Sequence, residues 1–467
     1  MNKRSETIRP FWGVVIVGLG TLVVPFDSSV NVAFPHIIRA FDLPIPAIQW
    51  VVIAYTLTYA ALTLVFGRIG DMLGYRRIFL IGSAWSTIAF LMCAAAPSYP
   101  WLLAARVMQG IGAALSLSCG PALATSLYPE TERTRVLGLY TMAFGIGGAL
   151  GPVLAGQLVQ FFGWQSVFWF RAPIAALAFL LTWRLPGGRP HGTARFDAPG
   201  AFLLVVSISA MLMALNQLQH IGTTIVWFAA AAVITVLATA AFIFRQERAA
   251  EPLMNLRYFR NPDFALVNTA HVLLNVAGFS IMLLVPFYLD RLSGLSVPMG
   301  GLVLAASPVG IMLSAPLAGR LATRVSSRRL ALVGAAAMAI AQVAIGMAGA
   351  SPDIPLLWAS MFLQGFGLGL FQVAYFDIAT ATIPRQDRGV AGSLVMMTRT
   401  IGVVTGATTL MLIFQTMRDA ARADHVTETA AFLTGFQTTF HLAALLPAAM
   451  VVAALLRGWA KASPRTH

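Results

Sequence analysis

The chain reads as long apolar runs separated by short polar clusters. It lacks the alternating or three-to-four-residue periods of a soluble core. A helix that crosses a bilayer needs about 20 mostly apolar residues. Fourteen such runs lie between clusters of charge, Pro and Gly: 11–35, 47–67, 78–97, 100–128, 136–160, 164–184, 197–219, 222–245, 263–290, 297–319, 330–350, 354–383, 388–417 and 432–457. The first follows Lys3, Arg4 and Arg9, as a signal peptide would. It is too long for one, carries Asp27 and lacks a small-residue cleavage site, so it reads as the first membrane helix.

Composition removes the alternatives. Charged residues are 10% of 467 and hydrophobic types 58%, with a mean hydropathy of +0.78. A soluble chain carries about 25% charge, and so little charge cannot solvate the roughly three soluble domains this length implies. An all-α polytopic membrane protein remains. Its only lysines are Lys3 and Lys461, so no phosphate-cradling GxxxxGK[ST] loop is present and no ATP motor of that type. Cys93 and Cys119 both fall in apolar runs, which argues against a disulfide framework or a zinc site. No HExxH, GxSxG or clustered His/Asp set appears. No catalytic residue, metal or cofactor is expected, and the chain is not read as an enzyme.

The charges fix orientation. Of 31 basic residues, 24 fall in segments on the side of the N-terminus and only Arg39, Arg291, Arg418 and Arg422 on the other. This bias places both termini in the cytoplasm and requires an even number of spans. It also assigns the net charge of +14 to topology and anionic lipid rather than to nucleic acid.

The sequence repeats at an offset near 255. Gln109-Gly110-Ile111-Gly112 recurs as Gln364-Gly365-Phe366-Gly367, Pro129 and Arg133 as Pro384 and Arg388, and Gly147 and Gly151 as Gly402 and Gly406. Upstream, Gly67-Arg68-Ile69 recurs as Gly319-Arg320-Leu321, three residues out of step. Spans 1–6 therefore correspond to spans 9–14, inserted with the same orientation. The expected organisation is a six-helix bundle over 11–184, two inserted helices with their linkers over 185–262, and a second six-helix bundle over 263–457. Two parallel repeats with substrate held between them near the midplane is the logic of a secondary transporter.

Three motifs sharpen this. Gly67-Arg-Ile-Gly-Asp71-Met-Leu-Gly74-Tyr-Arg76-Arg77 joins spans 2 and 3 on the inside. Its glycines permit a tight turn, Asp71 can pair with a cation or helix end, and Arg76 and Arg77 can anchor to headgroups; the plain alternative is an ordinary basic turn. Gly147-Gly-Ala-Leu-Gly151-Pro152-Val-Leu-Ala-Gly156 lies in span 5, where small residues four apart let helices approach closely. Phe26-Asp27-Ser28-Ser29-Val30-Asn31, Trp50-Val51-Val52 with Tyr55, and Arg106-Val-Met-Gln109-Gly110 mark spans 1, 2 and 4. Together these segments resemble the major facilitator superfamily. The first is similar to its signature gate loop, the second to its antiporter motif, and the set to its fourteen-helix drug:proton antiporter family (EmrB/QacA type). Met72 and Tyr75 stand where that family usually has basic residues, and Arg171 where its sixth helix usually has Asn.

The resemblance implies a major facilitator fold of two six-helix bundles plus two inserted helices, fourteen in all. It implies a multi-pass protein of the bacterial inner membrane that exports small amphipathic compounds against proton entry. A periplasmic adaptor and an outer-membrane channel are partners it leaves open, beside membrane lipid. Metabolite export, proton-coupled import or a transporter-like sensor on the same fold are the alternatives.

Charges inside spans cost several kcal/mol unless paired or wetted. Asp27 lies about 8 residues, roughly 12 Å, from the outer end of its span, and Arg106 roughly 8 Å from the outer end of span 4, at 1.5 Å per residue. At similar depth they can pair, either as a structural ion pair or as a proton-carrying carboxylate with its partner. Asn31 follows Asp27 by one turn on the same face, and Asn31, Gln109 and Arg399 are expected to line the substrate cavity. In the second half Asp377 lies near the inner end of span 12, a proton carrier or a local helix-end partner, and Arg399 lies in mid-span 13. Asn268, His271 and Asn275 share one face of span 9, as interhelical glue or as cavity lining, with His271 a secondary proton candidate.

Overall fold

The computed structural model describes residues 10–128, 133–186, 197–217, 221–248, 256–321, 325–382 and 388–459. Most of the expected 185–196 linker, much of 246–262, and Pro129 and Pro384 lie outside them. Lipid offers no partner to a backbone amide, so apolar runs satisfy their peptide groups internally as helices. Among the described residues every regular element is helical.

In chain order these are α1 (Pro10–Leu22), a 3-10 turn (Pro25–Ser28), α2 (Ser29–Ala40), a short turn (Ile45–Ala47), α3 (Ile48–Leu73), α4 (Tyr75–Ala94), α5 (Tyr99–Ser126), α6 (Arg133–Phe162), α7 (Ser166–Trp169), α8 (Arg171–Thr182), α9 (Ala198–Gln217) and α10 (Ile221–Arg248). A 3-10 turn (Leu256–Arg260) leads into α11 (Pro262–Leu292), α12 (Val297–Leu304), α13 (Ala306–Leu321), α14 (Ser327–Gly346), α15 (Ile354–Thr382), α16 (Arg388–Ala423) and α17 (Glu428–Leu456). Eleven helical stretches of the described residues are long and apolar enough to cross a membrane. Three shorter apolar ones, Ile45–Tyr59, Ser166–Thr182 and Ala198–Met211, fall on the second, sixth and seventh expected spans.

Some runs expected as single helices are broken. The first is interrupted at Pro25, which has no amide proton and whose ring crowds the carbonyl four residues back. The chain turns as a 3-10 segment there before α2 resumes. The sixth run breaks between α7 and α8, beside Arg171, and the tenth at Ala305.

Two compact units result, one from residues 1–42 and 54–196, the other from 43–53 and 197–467. In the first, Ile16, Val17, Phe79, Leu123 and Val136 form a buried core. In the second, Phe264, Leu274, Met338, Phe371 and Tyr375 do the same. The inserted α9 and α10 belong to the second unit and pack on each other, with Ser207 and Thr239 hydroxyls 2.5 Å apart. Asp197 closes the pair, accepting from Arg245 and Gln246, each at 3.0 Å. Beyond α9, α10 presents Val226, Trp227, Val236 and Leu237 outward.

The sequence repeat recurs as paired helix approaches. A Cβ added at Gly82 would stand 3.1 Å from the Ser116 amide nitrogen, and one at Gly334 2.9 Å from that of Phe371. At Gly147 it would stand 2.9 Å from the Leu22 carbonyl oxygen, and at Gly402 2.6 Å from that of Val272. At Gly406 it would stand 2.9 Å from the Val276 carbonyl oxygen, and at Gly151 3.3 Å from the Ser29 amide nitrogen. Glycine is needed at each point because backbone meets backbone with no room for a side chain. These pairs set Pro25 opposite Asn275 in the repeat, both against the corresponding glycine of α6 or α16.

Candidate functional site

Asp27 stands in the 3-10 turn that breaks the first membrane run, and its carboxylate is held from two helices. Arg106 of α5 donates from Nη1 to Oδ1 at 2.6 Å and from Nη2 to Oδ2 at 2.8 Å. Gln109, one turn further along α5, donates from Nε2 to Oδ1 at 2.9 Å and accepts from Arg106 Nη1 at 2.8 Å. Arg171, the first residue of α8, donates from Nη1 to Oδ1 at 2.9 Å. Its Nε is anchored on the Val167 carbonyl at 2.8 Å. Both arginines are fully buried, and the Asp27 side chain is 17% exposed. Arg106 lies over the Tyr55 ring at 4.4 Å and Arg171 over Phe90 at 4.7 Å, with Phe168 beside both.

One carboxylate therefore faces two guanidiniums, a cluster of net charge +1. Oδ1 accepts three N–H groups and Oδ2 one, so a proton on Oδ1 has to displace a donor. Its arrival would also leave the arginines without their counter-charge, a costly state in a buried site.

The α6 motif supports the clamp from behind. Gly147 lies against Leu22 and Pro25, and Gly151 against Phe26 and Ser28. Ser28 Oγ donates to the Gly148 carbonyl at 3.2 Å. Pro152 lies inside α6 and Gly156 is buried one turn beyond it. The two glycines let α6 touch the broken segment that carries Asp27. Asn31 is buried in α2 and is not among the described residues that hydrogen-bond the carboxylate.

The inner loop is a turn between α3 and α4. Gly67 and Asp71 lie in the last turns of α3; the Asp71 side chain lies outside the described ones. Gly74 takes φ +96°, which a residue with a Cβ rarely adopts. Arg76 donates to the Thr182 carbonyl at 3.2 Å and to that of Trp183. It caps the C-terminal end of α8 rather than reaching for headgroups, a favourable place for a cation. Arg77 is exposed.

The second unit holds a polar set of its own around α11. His271 is fully buried, and its Nδ1 lies 2.8 Å from Thr398 Oγ1 of α16. Its ring stacks on Tyr375 and Phe371 of α15, with centroids 4.7 and 6.1 Å away. Tyr375 donates to Asn268 Oδ1 at 2.7 Å, and Asn268 Nδ2 to the Phe264 carbonyl at 2.7 Å. Asn275 Nδ2 donates to the His271 carbonyl at 2.7 Å. Asn275 thus bonds locally along α11 and Asn268 also bridges to α15, while Arg399 is half-buried one residue beyond Thr398. Asp377 is exposed near the end of α15 and accepts from Ser327 Oγ at the start of α14, the local helix-end partner.

Sequence reasoning brought together Asp27 and Arg106, set Gln109 in the substrate cavity and left Arg171 outside the site. Arg171 was visible only as a residue out of keeping with its position. Its arrival at Oδ1 depends on the break between α7 and α8, which apolar patterning does not show. Thr398 and Tyr375 carry no signal of their own in an apolar run.

Comparison with known proteins adds kinship to this geometry. A family model described as Major Facilitator Superfamily matches residues 17–407, and again 267–466. The riboflavin transporter RibZ of Clostridioides difficile (strain 630) is 29% identical, over 84% of this chain and 86% of that protein. The multidrug resistance protein Stp of Mycobacterium tuberculosis (strain CDC 1551 / Oshkosh) is 28% identical, over 88% and 77%. Among solved structures, an inward-facing, unoccupied bacterial homologue of the human lysosomal transporter Spinster superposes with a TM-score of 0.71 at 16% identity. That likeness covers 98% of this chain and 99% of the other, and it is one of fold.

Proposed function

We propose that this chain, which belongs to the Major Facilitator Superfamily, is a proton-coupled antiporter of a bacterial inner membrane. It exports amphipathic drugs or related small molecules by alternating access. Relatives named for drug resistance support the class of cargo. The α6 glycines and Pro152 support antiport through their resemblance to the antiporter motif. The reading takes fourteen spans, six in each bundle and two inserted, with both termini in the cytoplasm.

One observation carries it: a carboxylate inside a membrane helix, clamped by Arg106, Gln109 and Arg171, beside a proline break. In this reading Asp27 takes the proton, the clamp opens, and α2 is freed from α5 and α8. Each proton entering supplies about 2.3 kcal/mol per 100 mV. The expected test is ethidium efflux from everted vesicles. Wild-type efflux should collapse when the proton gradient is dissipated. Asp27→Asn should insert normally, lose gradient-driven efflux and keep ethidium exchange. Efflux indifferent to the gradient sinks antiport; gradient-driven efflux by Asp27→Asn removes Asp27 from the proton path.

RibZ favours a second reading, export of a metabolite on the same fold. Riboflavin that competes with ethidium for efflux would support it.

A further inference from the structure

The two guanidiniums of the clamp keep their charge at any physiological pH, so Asp27 alone decides the total. Ionised, it leaves the cluster at +1; protonated on either oxygen, it leaves +2. Both arginines are fully buried, and a buried cation without a counter-charge is costly. The neighbouring rings do not supply one. Tyr55 lies 4.4 Å from Arg106 and Phe90 4.7 Å from Arg171, where their faces attract the cations without carrying charge. Tyr55 of α3 and Cys93 of α4 are the titratable groups beside the clamp, both neutral in their ordinary forms. From α6 it is Gly147 and Gly151 that meet the 25–28 turn. Donors are in surplus as well. Arg171 Nη2 is buried and has no hydrogen-bond partner among the described residues, and the same holds for the Tyr55 hydroxyl. A guanidinium nitrogen only donates, so Nη2 calls for an acceptor.

We propose that, when a proton occupies Asp27, a small monovalent anion of the chloride class binds between Arg106 and Arg171 as the replacement counter-charge. The inference rests on the antiporter reading and deepens it, because it names what the proton-loaded state holds besides the proton. The balance is one for one. The carboxylate and H⁺ become a carboxyl group, the cluster rises to +2, and one Cl⁻ returns it to +1. A proton on Oδ1 displaces an N–H donor there, and Arg171 Nη2 adds donors already spare. Access limits the size. The arginines are closed off and the Asp27 side chain is 17% exposed, so entry lies beside the carboxylate and admits an ion rather than a cargo molecule. Arg171 is decisive for the charge. Asn, which the fourteen-helix antiporter family usually has there, would leave the protonated cluster at +1, the total this clamp already holds with Asp27 ionised. Proton and anion each tighten the binding of the other, as linkage requires.

The test follows ³⁵Cl NMR line broadening by full-length protein in detergent, with bromide and methanesulfonate as competitors. Asp27→Asn keeps the shape of the carboxyl group and fixes the cluster at +2 without a proton. At neutral pH it should broaden the chloride line beyond wild type, and bromide but not the bulkier methanesulfonate should reverse the excess. One charge at about 4 Å in a protein interior is worth more than a factor of ten in binding, so chloride should bind Asp27→Asn at least about tenfold tighter than wild type. Adding Arg171→Asn returns the cluster to +1 and should abolish the excess. Equal broadening by wild type and Asp27→Asn overturns the proposal. Reversal by methanesulfonate as readily as by bromide reduces the effect to ionic strength and overturns it too. Acidification should bring wild type up to Asp27→Asn. If it does not while Asp27→Asn binds chloride, the anion site stands and Asp27 leaves the proton path, so the two failures are told apart.

Discussion

At the scale of single residues, the clamp distinguishes its two arginines. Arg106 makes both bonds of a bidentate pair and also positions Gln109, whereas Arg171 reaches Asp27 with one nitrogen. Removing one partner of a buried ion pair costs about 3–5 kcal/mol. Arg106→Ala is expected to lower stability by that order. Arg171→Asn should cost less, under about 2 kcal/mol, because the bidentate pair remains and an excess buried charge is removed. Thermal unfolding of the purified variants decides the order; an equal or greater loss in Arg171→Asn would show that the second arginine carries the clamp. Depth along two helices was enough to place Asp27 beside Arg106, because rise per residue is a property of any helix. The third partner was not readable, since it depends on where α8 begins.

Among elements, the decisive contacts are those of α6 with the broken first helix and of α16 with α11. Gly147→Val and Gly402→Val put a branched side chain against the Leu22 and Val272 carbonyls. Each should destabilise by about 1–3 kcal/mol through overpacking. Gly148→Ala meets nothing within 4 Å and should be silent. Denaturation midpoints check all three; a silent Gly402→Val would mean that the second approach is not tight. The apolar runs and the glycine spacing made the helices and the repeat readable. The breaks at Pro25, Arg171 and Ala305 were not, because the flanking residues remain apolar on both sides. A proline alone does not foretell one, for α11 continues through Pro286.

For the whole molecule, the asymmetry of basic residues makes a prediction independent of any site. Reporter fusions after residues 190 and 255 should both read cytoplasmic, following the bias of 24 basic residues to four. A periplasmic signal at either removes the fourteen-span arrangement. The duplication also holds a divergence at one place. The chain has Pro25 where its other half has Asn275, both pressed against a glycine of the neighbouring helix. Proline interrupts its helix; Asn275 instead ties its own turn to the carbonyl four residues back. One ancestral rod has thus become a jointed limb in one copy and a strut in the other. A joint exchanged for a strut, by Pro25→Asn, should leave the protein assembled but slow to turn over. The reverse exchange, Asn275→Pro, should break α11 at that turn and lower the denaturation midpoint.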